Sequence, residues 1–140
     1  MATASSALAE RFWPAVPERI WDSIRDEFTL PTAADLEAHF EARGDAEAMR
    51  RAMRVFIGDG TFCPDFQLKD GRFHEPVLRL FGQAMDLKIP HNVFAAWMVS
   101  PLPVAGTRPV DTLETLQLLQ DALTLFADRY RPVEEGRSRR

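Results

Sequence analysis

"SPLPVAGTRPVDTL", residues 100–113, is the stretch on which the fold turns. It ends one apolar helical pattern, opens another, and contains three prolines and one glycine. Pro101 and Pro103 lack the backbone N–H that a continuing helix needs, so the pattern around Trp97 stops there. Gly106 admits a backbone angle that other residues resist. Pro109 suits a helix's first turn, where its missing N–H has no partner to lose, and Asp111 suits the positive end of a helix. The stretch therefore predicts a rigid corner between two helices. Its structural residues are Phe94, Trp97, Pro101, Gly106, Pro109, Asp111 and Leu113.

Beyond the corner, "PVDTLETLQLLQDALTLFADRY" runs without a breaker and predicts a long C-terminal helix of about six turns. Leu116, Leu119, Leu123, Phe126 and Tyr130 follow one seam of that helix. Leu118, Ala122 and Leu125 make a second, rotated by roughly 100–200° from the first. A helix at the edge of a small domain needs one apolar stripe. Two stripes mean either that the helix is central to the fold or that one seam meets another chain; the second is the expectation, because an exposed row of leucines invites aggregation.

Working back toward the N-terminus, "PERIWDSIRDEF" places Ile20, Trp21, Ile24 and Phe28 on one face of a helix starting near Pro17. Thr32 with Asp35 resembles a capping box at the head of a helix carrying Leu36 and Phe40, with Gly44 as its stop. Met49, Ala52, Met53 and Phe56 recur with helical spacing, which predicts a third helix over 45–56 ended by "GDG" at 58–60. "TFCPDFQLKDGRF" is the strand-like piece, with Asp70-Gly71 as a hairpin turn. Helices follow from Pro76 and from Pro90. The fold class is thus mainly α: a compact multi-helix domain with one short β-hairpin or ribbon near 61–73 and a long C-terminal helix. The expected organisation is a disordered leader over 1–11, an N-terminal helical part over 12–60, a second part over 61–130 and a flexible tail over 131–140.

Composition narrows the function classes. The chain has 140 residues, 46% of them apolar and 27% charged. One domain of this size buries roughly 68% of its unfolded surface. The net charge of −4 gives no general attraction to a phosphate backbone. Cys63 is the single cysteine, which excludes an internal disulfide framework. The N-terminus has neither the basic start nor the apolar run of a secretory signal, so a cytoplasmic setting without membrane contact is expected.

Recognisable catalytic patterns are missing. His39, His74 and His91 lie far apart in different elements, and no spacing suits a metal. Cys63 reads more readily as a buried filler than as a nucleophile. No glycine-rich phosphate loop is present. The expectation is a binding protein rather than an enzyme, with no cofactor. DNA is the nearer question, because two helices over 33–43 and 45–56 around a glycine have helix-turn-helix arithmetic. Arg50, Arg51 and Arg54 are then the candidate DNA contacts. Against this, residues 1–44 carry eight acids (Glu10, Glu18, Asp22, Asp26, Glu27, Asp35, Glu37, Glu41) and four arginines. The solvated face of an amphipathic helix is the preferred reading.

"VFAAWMVSPLPVAGTRPVDTL" resembles the signature of the Xre/MbcA/ParS-type antitoxin toxin-binding domain. That signature runs Phe-x-x-Trp-Leu-x-x-Pro and then Gly-x-x-Pro-x-Asp-x-Leu. Phe94, Trp97, Met98, Pro101, Gly106, Pro109, Asp111 and Leu113 fall on it, with Met98 standing at the Leu position. Upstream, Pro64, Phe66, Gln67, Gly71, Arg72 and Val77 match a stretch found in many such proteins. The resemblance implies an all-helical antitoxin that binds a RES-domain toxin, an NAD-consuming protein, and occludes its active site, often with the C-terminal end. It also implies a homodimer and an N-terminal helix-turn-helix at 32–56. The partner-binding residues expected on these grounds are Leu118, Ala122, Leu125, Tyr130, Arg131, Arg137, Arg139 and Arg140. A DNA-binding regulator and a helical adaptor that reuses the domain are the alternatives.

Overall fold

Pro17 stands just ahead of the first helix, where its fixed φ suits entry, and α1 runs over Glu18–Glu27. The computed structural model describes Trp13, residues 15–103 and residues 105–130. The leader, the C-terminal tail and Val104 lie outside the described residues. Helix α2, Ala33–Ala42, is capped as the sequence predicts: the Thr32 hydroxyl accepts the Asp35 N–H at 3.1 Å. It stops at Gly44, whose φ of 74° lies in the left-handed region.

The third helix expected over 45–56 does not form. Residues Ala46–Arg51 make a short 3₁₀ helix, and the chain then extends into strand β1, Val55–Ile57. Three side chains from later in the sequence take over the hydrogen bonds a helix would have supplied. The Gln67 amide accepts the Met53 N–H at 2.9 Å and donates to the Met53 carbonyl at 3.1 Å. His91 Nδ1 accepts the Arg54 N–H at 3.0 Å. Asn92 accepts the Phe56 N–H at 2.8 Å and donates to its carbonyl at 2.9 Å. An extended backbone with its polar groups satisfied in this way needs no helix. Gly58-Asp59 of "GDG" then form a hairpin loop, and β1 pairs antiparallel with β2, Gly60–Phe62. A second antiparallel pair joins β3, Leu68–Lys69, to β4, Arg72–Phe73, across Asp70-Gly71, both at positive φ. Two small ribbons therefore stand where one was expected. The divide expected at 60/61 falls inside strand β2.

Helix α3 spans Glu75–Asp86 with Pro76 in its first turn, and α4 spans His91–Met98. The long C-terminal helix starts later than its sequence suggests. Pro109–Asp111 form one 3₁₀ turn, and α5 runs over Leu116–Arg129. The hydroxyls of Thr112 and Thr115 donate to the Arg108 and Thr112 carbonyls at 3.1 and 2.8 Å. Such local bonds compete with helix and delay its start.

The main core gathers Trp21 and Ile24 of α1, Met53 and Val55, Val77 and Leu80 of α3, Phe94, Trp97 and Met98 of α4, and Leu119 and Leu123 of α5. It therefore draws on both sides of the 60/61 divide. A smaller cluster holds Leu36, Phe40, Ala48, Met49, Ala52 and Cys63.

Candidate functional site

The two seams of α5 meet different surroundings. Leu119 and Leu123 have no exposed surface. Leu118 and Leu125 are 56% and 66% exposed. With Ala122 they line a groove of about 710 Å³. Helix α4 contributes Val93, Ala96 and Trp97, the corner contributes Pro101, Leu102 and Pro103, and the head of α1 contributes Val16, Pro17 and Ile20. Arg19, Asp121 and Arg129 are the charged residues among its lining. The lining is thus mainly apolar, with a few charges at its border.

The groove keeps its shape because its walls are tied together. Leu102 donates its N–H to the Thr107 carbonyl at 2.9 Å, and Gly106 donates to the Leu102 carbonyl at 2.9 Å with φ at 75°. These two bonds fold the proline-rich stretch into a closed loop. Arg108 then reaches α1: its two Nη atoms meet the Glu27 carboxylate at 2.6 and 2.5 Å, while Nε and Nη2 meet Asp111 at 2.7 and 3.1 Å. A guanidinium forking to a carboxylate fixes orientation as well as distance. The hydrogen bonds from Arg108 hold both the Glu27 and the Asp111 carboxyl below the usual carboxylate range. In turn Glu27, and next Asp111, stabilise the guanidinium's charge. The Arg108–Asp111 spacing was visible in the opening stretch. Glu27, 81 positions away, was not, and so Arg108 was missed as a positioning residue.

Of the corner residues, Phe94, Trp97 and Pro109 are buried, and Leu113 packs against the main core half-covered. Asp111 serves the ion pair and not the head of α5. Tyr130 is half-buried, its ring 5.2 Å from Phe126 and 5.7 Å from Trp13. Arg131, Arg137, Arg139 and Arg140 lie outside the described residues.

The three arginines offered as DNA contacts are not brought together on a recognition helix. Arg50 pairs with Glu47 at 3.2 Å. Arg54 turns back to donate to the Met49 and Ala52 carbonyls at 3.0 and 3.4 Å, closing the end of the 3₁₀ segment. Arg51 alone stays exposed without an ion pair among the described residues.

Of the titratable groups, Cys63 is fully buried in the smaller cluster, and burial pushes its thiol up, away from the reactive thiolate. His91 is held below its ordinary value, first by burial, and its Nδ1 is occupied by the Arg54 N–H. His39 bonds to the Gly71 carbonyl at 2.9 Å. No group of His, Cys, Asp and Glu suited to a metal ion occurs among the described residues, and no described helix is long and apolar enough to cross a membrane. Comparison of the chain with protein-family models, with curated proteins and with solved structures finds no match.

Proposed function

We propose that this chain is an antitoxin-like binding protein, one that neutralises a RES-type, NAD-consuming toxin by occluding its active site. The observation that carries the reading is the groove between α1, α4 and α5, with Leu118 and Leu125 exposed along it. The signature-like residues support it by position, because Trp97 and Pro101 line that groove while Pro109 and Gly106 hold the corner beside it. The occupant proposed is an apolar segment of the toxin flanked by carboxylates. Arg19 and Arg129 stand in the groove lining with no ion-pair partner among the described residues, whereas Asp121 already accepts from Gln117 at 3.1 Å. Covering each exposed leucine adds about 1–2 kcal/mol to binding.

Co-expression with the product of the neighbouring gene tests the reading. Growth arrest by that product alone, relieved by this chain and not by its Leu118→Glu/Leu125→Glu variant, is the expected result. A harmless neighbour, or relief that the double variant gives equally well, overturns it. The DNA-regulator alternative has lost its recognition helix to the 3₁₀ turn and strand over 46–57.

A further inference from the structure

Arg43 follows the last turn of α2, Arg51 ends the 3₁₀ helix and Arg72 opens β4. The fold brings these three distant positions to one cleft of about 500 Å³. An adjoining hollow of about 490 Å³ shares Arg43, Arg72 and Phe73 and adds Lys69 and His74. None of the four cations is ion-paired among the described residues, whereas Arg25, Arg50, Arg79 and Arg108 each hold a carboxylate. Two carboxylates, Asp45 and Glu75, line the cleft itself, and Asp70 lines the adjoining hollow. Glu75 is engaged by Arg79 at 3.6 Å, which leaves Asp45 facing three guanidinium groups. In a molecule of net charge −4 this face is locally reversed. Behind it the rings of Phe40 and Phe73 stack at 5.0 Å and 24°, and Phe73 lines both hollows.

We infer that this cleft is an oxyanion site that takes a phosphate group, held by Arg43, Arg51 and Arg72. Planar guanidinium forks match the tetrahedral oxygens of phosphate, and several unpaired like charges in one hollow favour a multivalent anion over chloride. An aromatic ring beside the cations gives an attached base a face to lie on. The cleft shares no lining residue with the apolar groove, so this inference stands or falls apart from the toxin-binding reading.

Two probes test it at low salt: inorganic phosphate followed by amide NMR shifts, and a short mixed-sequence single-stranded oligodeoxynucleotide followed by fluorescence anisotropy. Phosphate is expected to shift the signals of Arg43, Arg51 and Arg72. Arg43→Gln/Arg72→Gln should weaken binding on the order of tenfold, and for the oligonucleotide should flatten the salt dependence by about 0.7 per arginine removed. Arg25→Gln, outside the cleft, should change nothing. Asp45→Asn removes the facing carboxylate, which makes no capping bond, and should tighten binding. Response to both probes assigns the site to a phosphodiester backbone; response to phosphate alone assigns it to a small phosphate ligand. No response to either probe, or equal binding by the double variant and the wild type, overturns the site.

Discussion

Leu118 and Leu119 are neighbours on one helix, yet one is 56% exposed and the other has no exposed surface. Leu125 and Leu123, further along the helix, repeat the contrast at 66% and none. The four residues are chemically identical, so the difference lies in what the rest of the chain brings to each side. Helices α3 and α4 cover the inner seam. On the outer seam α1 and the corner stand back and leave a groove. Periodicity therefore tells how many stripes a helix carries and not which is covered. Coverage is decided by connections such as the Arg108 bridge, which sets where α1 and the corner lie.

The contrast can be broken most forcefully from its buried side. Trp97 is 6% exposed and belongs to the core as well as to the groove. Trp97→Ala should cost about 3–5 kcal/mol, and Leu123→Ala about 2–5 kcal/mol, in denaturant unfolding. A loss below 1 kcal/mol, roughly, for Leu123→Ala would mean that the inner seam is not packed as described. Gln67 comes next. Its buried amide makes three hydrogen bonds, two to Met53 and one to the Pro64 carbonyl at 3.0 Å. Gln67→Ala strands those backbone groups and should cost about 2–4 kcal/mol, read as a lower melting temperature. An unchanged value would show that the segment at Met53 holds its shape without that amide.

Smaller effects sharpen the comparison. Because Glu27 and Asp111 have lowered values in the fold, their contribution to stability is full above roughly pH 4–4.5 and is lost as pH falls through those lowered values. Arg108→Gln should flatten this acid-side dependence in melting curves recorded against pH, while a profile identical to the wild type would mean the bridge does not form. His91 acts in the same direction at higher pH. Its lowered value means stability falls below roughly pH 6.5, as the unfolded chain takes up the proton first. The smallest stability change is expected on the outer seam: Leu118→Glu should alter unfolding by about 0.5 kcal/mol or less. A large loss there would place the outer seam in the core after all.

Much of the fold was legible because its signals are local. Thr32 capping, the Gly44 stop, Pro76 in a first turn and the Asp70-Gly71 hairpin each depend on residues a few positions apart. The errors have a common physical cause in long-range bonds. The spacing of Met49, Ala52, Met53 and Phe56 is helical, but Gln67, His91 and Asn92 satisfy the backbone at 53–56 from 14 to 37 positions away. Phe56 is consequently exposed at 57%, where a helix would have buried it. The late start of α5 belongs with the local signals. Thr112 and Thr115 lie at its head, and their hydroxyls compete with the helix through bonds to carbonyls four and three positions back. For the groove, Leu118, Ala122 and Leu125 were legible as an uncovered stripe, while the wall supplied by Val16, Pro17 and Ile20 was not. Of the basic cleft, Arg51 is legible as a candidate phosphate contact, but its grouping with Arg43 and Arg72 is not, because the three share no periodicity and meet only once the hairpin folds beside α2.

The most direct measurement is light scattering on the chain co-purified with the neighbouring gene's product, as wild type and as the Leu118→Glu/Leu125→Glu variant, alongside circular dichroism of each. If the outer seam of α5 is where this molecule does its work, the wild type elutes as a complex and the variant as a folded protein parted from its partner. A variant that keeps the complex at the wild-type mass would contradict the assignment of function to that seam.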